Sequence, residues 1–145
     1  MFTDCSVVVG EKNTKYNSSN VSVTYARIDG GTSSPGYLTQ LKYPLPPGTD
    51  FNAKITEKCS GVTSIIFDYT WNHKDKAINP VYTYSTGIYT GEAGLNLYVD
   101  GKTAYVLSRG LICTPTICNN MFSGKSKLTS IVFNNIDTSA AITMS

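Results

Sequence analysis

The feature that most constrains this chain is alternation, because short runs switch between apolar and polar residues and strong turn residues separate them. In the segment 21–28, for example, Val21, Val23 and Tyr25 point one way. A period of two is the pattern of a strand with one buried face. Gly, Pro, Asn and Asp pairs punctuate the runs, as at Gly30-Gly31. The pattern predicts ten short strands, at 5–9, 21–28, 37–43, 51–59, 62–69, 81–84, 95–99, 104–108, 128–133 and 141–144.

The dipeptide Asp100-Gly101 predicts a β-hairpin, since it lies between two apolar runs and suits a tight turn with positive φ angles. Nine or ten short strands with such turns are typical of a sandwich or barrel. We therefore expect an all-β fold, an antiparallel immunoglobulin-like or jelly-roll β-sandwich with disulfides. At 145 residues the chain fits one domain, 1–145, with the segment 30–36 as a surface loop inside it.

Charged residues are scarce and nearly balanced. They make up 15% of the chain, with a net charge of +2, against about 25% in an average soluble domain. No basic cluster favours nucleic acid, and no apolar run approaches the roughly 18 residues of a membrane span. Uncharged polar residues cover the surface instead, as in extracellular β-proteins. We expect an extracellular protein that binds neither nucleic acid nor membrane, with Met1 preceding a mature N-terminus.

Four cysteines, Cys5, Cys59, Cys113 and Cys118, indicate two disulfides, for which three pairings exist. The short, proline-containing segment between Cys113 and Cys118 favours a local bridge, which would leave Cys5 to pair with Cys59. A zinc site is the competing interpretation, but His73 is the only histidine and no second close cysteine pair exists. The sequence therefore predicts disulfides, no metal and no cofactor.

Catalytic motifs are weak. The Gly-Lys-Ser at 124–126 resembles the end of a phosphate-binding loop, but the glycine required earlier is replaced by Asn119. No G-x-S-x-G motif exists, and a Ser-His-Asp triad would depend on His73 alone. Asp68 and Asp75 could form a glycosidase pair, yet the sequence does not place them across a bond. We therefore predict a protein that is not an enzyme.

A binding loop is the stronger signal. Trp71, Asn72, His73 and Asp75 follow an apolar run and bring together the only Trp, the only His, an amide and a carboxylate. Flat aromatic faces stack on the apolar C–H faces of sugars, while amides and carboxylates pair with sugar hydroxyls. These residues predict a sugar-binding loop. The alternative is that Trp71 packs in the core and the charges form a solvated turn.

Two further surfaces are candidates for ligand binding. Tyr82 and Tyr84 share one face of a strand, where they either cover the core or form a recognition surface. Arg109, Asn119 and Asn120 flank the expected local bridge, which would stiffen a protruding loop and lower the entropic cost of binding. The alternative for this loop is that the bridge only protects an irregular connection.

Three stretches resemble the chaperone-usher fimbrial proteins of Gram-negative bacteria: Phe2-Thr-Asp-Cys5, the run 51–59 that ends in Cys59, and the run from Gly94 to Lys102. The first two are similar to the bridge that ties the first strand of a pilin-type sandwich to a later strand. The third is similar to a glycine-led strand and turn late in pilins. The chain departs from structural pilins, since few residues precede Cys5 and its last residues carry no aromatic side chain. The resemblance is therefore to the receptor-binding domain of a two-domain tip adhesin.

This resemblance implies a self-sufficient sandwich with a glycan pocket in its loops, located at the fimbrial tip after secretion through the periplasm. It also implies four partners: a host glycan or glycoprotein receptor, a C-terminal pilin domain, a periplasmic chaperone and an usher. The predicted function is adhesion to a host receptor, above all a glycan. A structural pilin and the receptor-binding subunit of a toxin remain as alternatives.

Overall fold

The computed structural model describes residues 9–84 and 94–143. The chain divides into two compact units, residues 1–40 and 41–145. The described residues form one α-helix and eight strands in two sheets, both of which belong to the second unit. None of the helical segments within them is long and apolar enough to span a bilayer.

A buried carboxylate organises the first unit. Asp29 is buried, and its oxygens accept hydrogen bonds from the backbone N–H groups of Lys12, Thr14 and Gly31 at 2.8, 3.0 and 2.9 Å. The Thr14 hydroxyl donates a further bond at 2.7 Å. Burial by itself would raise the pKa of Asp29, but these hydrogen bonds together hold it well below its usual range. One side chain thus ties together segments that are distant in sequence.

The strand predicted at 21–28 is wrong. Residues Val23–Tyr25 form a single 3-10 turn, and the backbone near it makes only an isolated bridge between Ile28 and Leu38. The ring of Tyr25 stacks on that of Tyr37, with centroids 5.4 Å apart. An alternating pattern therefore marks a compact turn with local aromatic packing here.

The second unit contains both sheets. The three-stranded sheet has the order β1 (Lys42–Pro44), β6 (Leu111–Cys113) and β8 (Ile136–Asp137), and all of its pairs are parallel. The five-stranded sheet is mixed, with antiparallel pairs at one side and parallel pairs at the other. Its order is β3 (Tyr82–Tyr84), β4 (Leu95–Asp100), β5 (Thr103–Ser108), β2 (Ser64–Tyr69) and β7 (Ser130–Phe133).

The expected all-β antiparallel sandwich is therefore wrong. Alternation locates strands but carries no information about the direction of their neighbours, and the long connections around β2 allow both of its neighbours to run parallel to it. Consecutive residues are buried in β4, at 95–98, and in β5, at 106–108. Such runs are typical of strands that are covered on both faces, not of a half-buried sandwich strand.

The strand predicted at 51–59 is also wrong, since this segment is the helix α1, Gly48–Lys58. Its buried side chains Phe51 and Ile55 are four positions apart, which places them on one helical face. Asp50 in the first turn and Lys58 in the last turn complement the helix dipole. Helical spacing was thus present in the sequence alongside the alternation.

The hairpin predicted at Asp100-Gly101 is confirmed as the connection between β4 and β5. Asp100 pairs with Thr103, so Gly101 and Lys102 form a two-residue loop. Only Gly101 of these two has a positive φ, +58°, a conformation that glycine adopts without strain. The predictions at 62–69, 81–84 and 128–133 are confirmed as well, by β2, β3 and β7.

Helix α1 packs against the five-stranded sheet through aromatic rings. The ring centroid of Phe51 lies 5.7 Å from that of Phe67 in β2 and 6.0 Å from that of Tyr84 in β3. Phe51, Phe67 and Ile55 are completely buried. Burying such a side chain contributes about 1.5–3 kcal/mol. The helix therefore fixes the outer strand β3 and its tyrosines in place.

The sulfur atoms do not form the expected local bridge. Cys113 and Cys118 are not joined in the structure. Cys118 packs into the apolar core, where its Sγ lies 3.2 Å from the Pro115 carbonyl oxygen. Cys59 is also a buried thiol, and burial raises its pKa. Cys5 lies outside the described residues. Within those residues no three metal-ligating side chains come together.

Candidate functional site

Polar side chains gather where the parallel strands β2, β5 and β7 end. The register pairs Phe67 of β2 with Phe133, the last residue of β7. Asp68 near the end of β2 and Asn134 just after β7 therefore come side by side. The loop that follows β2 carries the predicted aromatic and polar residues to the same edge, since carboxyl ends of parallel strands meet there.

Asp68 is the centre of this edge. It is 3% exposed, and its Oδ1 accepts hydrogen bonds from the Tyr69 backbone N–H at 2.7 Å and from Asn72 Nδ2 at 2.9 Å. Its Oδ2 accepts from Asn134 Nδ2 and lies equally close to His73 Nε2, both at 3.0 Å. The Asp68 site is defined here as Asp68, Tyr69, Trp71, Asn72, His73 and Asn134.

The hydrogen bonds decide the charge of Asp68. Burial by itself would raise its pKa, but the bonds from Asn134, Asn72, the Tyr69 N–H and His73 lower the pKa below its ordinary value. The carboxylate is therefore charged at neutral pH, when it holds the ends of β2 and β7 and the intervening loop in one arrangement.

Trp71 lies on the surface of this loop. Residues Thr70–His73 form a 3-10 turn directly after β2, and the indole stacks on the ring of Tyr69 with centroids 4.2 Å apart and planes 12° from parallel. Trp71 remains 50% exposed. It is therefore not the core tryptophan of a sandwich, and half of the residue is exposed although the indole stacks on Tyr69.

The other residues predicted in this loop point in different directions. His73 has a side chain that is 22% exposed, and its ring lies 5.2 Å from that of Tyr105 in β5. The side chain of Asp75 is 75% exposed and lies 3.7 Å from the ammonium of Lys76, which in turn pairs with Asp100 at 2.6 Å. Asp75 thus belongs to a solvated charge cluster and not to the Asp68 site.

Tyr82 and Tyr84 belong to a different cavity, of about 490 Å³, between β3, α1 and the segment before α1. Tyr84 is buried, and its ring meets that of Tyr82 edge to face at 5.1 Å. The Tyr84 pocket is defined here by the residues that line this cavity, which are Pro44, Leu45, Pro46, Asp50, Ala53, Lys54, Tyr82 and Tyr84. Tyr84 therefore covers the core, as one of the two interpretations of this tyrosine face expects, and both tyrosines line the cavity. The recognition surface stays a prediction.

The third predicted surface is divided. Arg109 is exposed between β5 and β6, whereas Asn119 and Asn120 lie after Cys118. Asn120 has a positive φ of 59°, and its carbonyl oxygen accepts a bond from Asn52 Nδ2 at 2.8 Å. It also lines an apolar cavity of about 370 Å³. The structure thus brings Trp71, Asn72 and His73 together at the Asp68 site and Tyr82 and Tyr84 together at the Tyr84 pocket. It places Asp75, Arg109 and the pair Asn119 and Asn120 elsewhere.

Sequence reasoning missed Tyr69, Tyr105 and Asn134. The only signal for Asn134 was its position directly after an apolar strand. That signal gains meaning only once β7 is known to run parallel to β2, because an antiparallel neighbour would have placed Asn134 at the opposite end of Asp68's strand.

Comparison of the chain with protein family models, with curated proteins and with solved structures found no match.

Proposed function

We propose that this chain is an extracellular recognition domain that binds a glycan at the Asp68 site. One observation carries the proposal: an exposed tryptophan, stacked on a tyrosine, lies beside amide and imidazole groups that a buried carboxylate holds in place. An aromatic face next to directed polar groups is the chemistry that a sugar ring requires.

Each group has a role in this proposal. The exposed part of Trp71 packs against the apolar C–H face of a pyranose. Asn72 donates its amide N–H to Asp68, which leaves the amide oxygen as an acceptor for a sugar hydroxyl. The 3-10 turn fixes these groups before the ligand arrives, so little conformational entropy is lost on binding.

The binding expected of such a site is weak for one sugar. A single aromatic platform on an open surface buries far less of its ligand than a closed pocket does. Useful avidity then comes from several copies that engage several sugars at once. The fold is not the sandwich that the fimbrial resemblance implies, so the proposal depends on the site and not on that family.

A glycan array with the wild-type chain, Trp71→Ala and Phe133→Ala tests the proposal. Phe133 is a matched control, because it is 54% exposed and its ring stacks on that of Phe67 at 5.4 Å, much as Trp71 stacks on Tyr69. We expect a defined sugar signal that Trp71→Ala weakens at least about tenfold, equivalent to about 1.4 kcal/mol, and that Phe133→Ala retains. An array without signal for the folded wild-type chain would refute the proposal.

A further inference from the structure

A small basic cleft lies next to the start of β2, whereas the Asp68 site lies at its end. Its volume is about 140 Å³, well below the roughly 300 Å³ at which sites for whole small molecules begin. The basic cleft is defined here by its lining residues, which are Thr56, Cys59, Gly61, Val62, Gly124, Lys125, Ser126 and Lys127. Within the described structure no carboxylate lines it, so the cleft is suited to one negatively charged group of a ligand.

Two exposed lysines flank this cleft. A side-chain carbon added to Gly61 would lie 3.8 Å from Lys102 Nζ and 3.8 Å from Lys127 Cδ, so both side chains approach the same point. Lys102 Nζ donates one hydrogen bond, to the Ser60 carbonyl oxygen at 2.7 Å, and two of its three N–H groups remain. The ammonium of Lys127 is exposed and has no ion-pair partner among the described residues. Both cations are therefore accessible to a ligand.

A third cation lies beside them. Lys125 Nζ donates to the Thr56 hydroxyl at 2.6 Å, to the Asn52 carbonyl oxygen at 3.3 Å and to Asn52 Oδ1. These acceptors are all neutral, so they use the donors of the ammonium but leave its charge without a counter-charge. Burial lowers the pKa of Lys125. An anion in the cleft would favour the charged form of this lysine.

The neighbouring carboxylates are engaged with other lysines. Glu57, which follows a lining residue in sequence, pairs with Lys54 at 2.9 Å and with Lys58 at 2.8 Å. Asp100, two positions before one of the flanking lysines, pairs with Lys76 at 2.6 Å. Like charges that lie close together without a counter-charge repel one another. A bound anion would relieve this repulsion, which the neighbouring acids do not.

The backbone adds neutral donors to the cleft. Residues 125–128 form a turn that is closed by a hydrogen bond from the Leu128 N–H to the Lys125 carbonyl oxygen at 3.0 Å. Ser126 and Lys127 occupy the centre of this turn, and their N–H groups make no hydrogen bond in the described part of the chain. Ser126 is exposed and lines the cleft. Ammonium, amide and hydroxyl donors thus occur together here.

We propose that the basic cleft binds a tetrahedral oxyanion, the sulfate or phosphate group of a larger ligand, with Lys102 and Lys127 as its ion-pair partners. Such a group presents three acceptor oxygens, which complement a cleft that is rich in donors. A carboxylate presents only two oxygens. The site uses none of the residues of the Asp68 site, so this proposal and the glycan proposal can fail independently.

Two-dimensional NMR of the whole chain tests the proposal with glucose 6-sulfate, glucose 6-phosphate and glucuronate, at constant ionic strength. Glucuronate is the matched probe, because it carries a carboxylate at the same end of the same sugar. We expect saturable shifts of the Gly61, Ser126 and Lys127 amide signals with at least one of the two esters, and weaker binding of glucuronate. The ester that binds more tightly identifies the source of the oxyanion. Raising NaCl from about 0.1 M to about 1 M should weaken this binding, because salt screens exposed charges.

Three single-charge variants locate the binding. Lys102→Gln and Lys127→Gln each remove one flanking charge and keep a polar side chain of similar size. Each should weaken the bound ester about three- to fivefold, the upper range for an exposed ion pair. Lys74→Gln removes the same charge from an exposed position in the loop that follows β2, and it should bind the ester as the wild-type chain does.

Three outcomes would overturn the proposal. The first is the absence of saturable shifts at the basic cleft with both esters. The second is glucuronate that binds as tightly as the esters, which would show that the cleft attracts any negative charge. The third is an affinity for the ester that is the same in Lys102→Gln, Lys127→Gln and Lys74→Gln, which would show that the flanking lysines do not hold it.

Discussion

The Asp68 site and the Tyr84 pocket each contain a buried polar group, which is hydrogen-bonded in the first and without a partner in the second. Asp68 and Tyr84 are both 3% exposed, but the carboxylate of Asp68 has four hydrogen-bond partners whereas the hydroxyl of Tyr84 has none in the described structure. The first group therefore stabilises the fold, and the second destabilises it. The satisfied group holds the residues around a site in place, whereas the unsatisfied one makes no contact in the described structure that offsets its desolvation.

The largest expected effect comes from removing the satisfied group. Asp68→Ala leaves the Asn72 and Asn134 amides, His73 and the Tyr69 N–H without their shared acceptor. We expect the free energy of unfolding to fall by about 3 kcal/mol or more, since several hydrogen bonds to a charged group are lost at once. Urea unfolding followed by circular dichroism measures this change.

The matched control is Asp75→Ala, which removes an aspartate from the same loop. Its side chain is 75% exposed, so its removal should change the free energy of unfolding by no more than about 0.5 kcal/mol. If the two alanine variants were equally stable, the hydrogen bonds of Asp68 would not stabilise the fold, and Asp68 would not organise the site.

The same carboxylate should make stability depend on pH. The pKa of Asp68 in the folded chain is lower than its ordinary value, so the unfolded chain takes up this proton first as the pH falls. The contribution of Asp68 is therefore complete above about pH 4 and is lost as the pH falls through the folded pKa. One group changes the free energy of unfolding by at most about 1.4 kcal/mol per pH unit.

Urea unfolding of the wild-type chain and of Asp68→Ala between pH 2 and pH 6 isolates this effect. Asp29 in the first unit also has a lowered pKa, so both proteins should lose stability in acid. We expect the free energy of unfolding to fall further in the wild-type chain, because only this chain carries the Asp68 carboxylate. If the free energy of unfolding fell equally with pH in the two proteins, the pH dependence of stability could not be assigned to Asp68.

The sequence was informative about strands and uninformative about their partners. Five strands of the mixed sheet coincide with alternating or apolar runs, and the Asp100-Gly101 turn joins two of them as predicted. Whether β2 runs parallel or antiparallel to β7 depends on long-range packing, which a period of two does not encode. The sandwich prediction failed at this point.

Helix α1 shows a second limit. Phe51 and Ile55 fit both an alternating strand and a helical face, since four positions are a multiple of two and also one helical turn. The turn residues just before the segment and the acidic first turn were the signals that separated the two interpretations. Short apolar periods of this kind need such end signals before they can be assigned.

The candidate site was half predictable for the same reason. Trp71, Asn72 and His73 are neighbours in sequence, so their cluster could be predicted from residue types alone. Asn134 comes from 66 positions away, and only the parallel register delivers it to Asp68. A site residue that depends on strand direction could not be predicted from the sequence, whereas site residues that share one loop could.

A smaller effect, of opposite sign, is expected from removing the unsatisfied group. Tyr84→Phe keeps the ring between Phe51 and Tyr82 and deletes the unpaired oxygen. The free energy of unfolding should rise by about 1 kcal/mol, which thermal unfolding would detect as a melting temperature higher by a few degrees.

Tyr82→Phe is the control for this variant, because Tyr82 is only partly buried and its hydroxyl is not among the unsatisfied atoms. It should leave the melting temperature unchanged. A destabilised Tyr84→Phe variant would mean that the hydroxyl has a partner in the folded chain, and the contrast between the two sites would then disappear.

The smallest expected change in stability is that of Trp71→Ala, which tests whether Trp71 serves ligand binding and not the fold. Trp71 is half exposed and its main contact is the Tyr69 ring, so Trp71→Ala should lower the free energy of unfolding by only about 0.5 kcal/mol, the low end for an aromatic pair. The same variant is expected to lose at least about tenfold in glycan affinity. A residue that matters little to the fold and greatly to the ligand is a recognition residue, whereas a stability loss near that of Asp68→Ala would make Trp71 part of the scaffold and leave the exposed stack without a function.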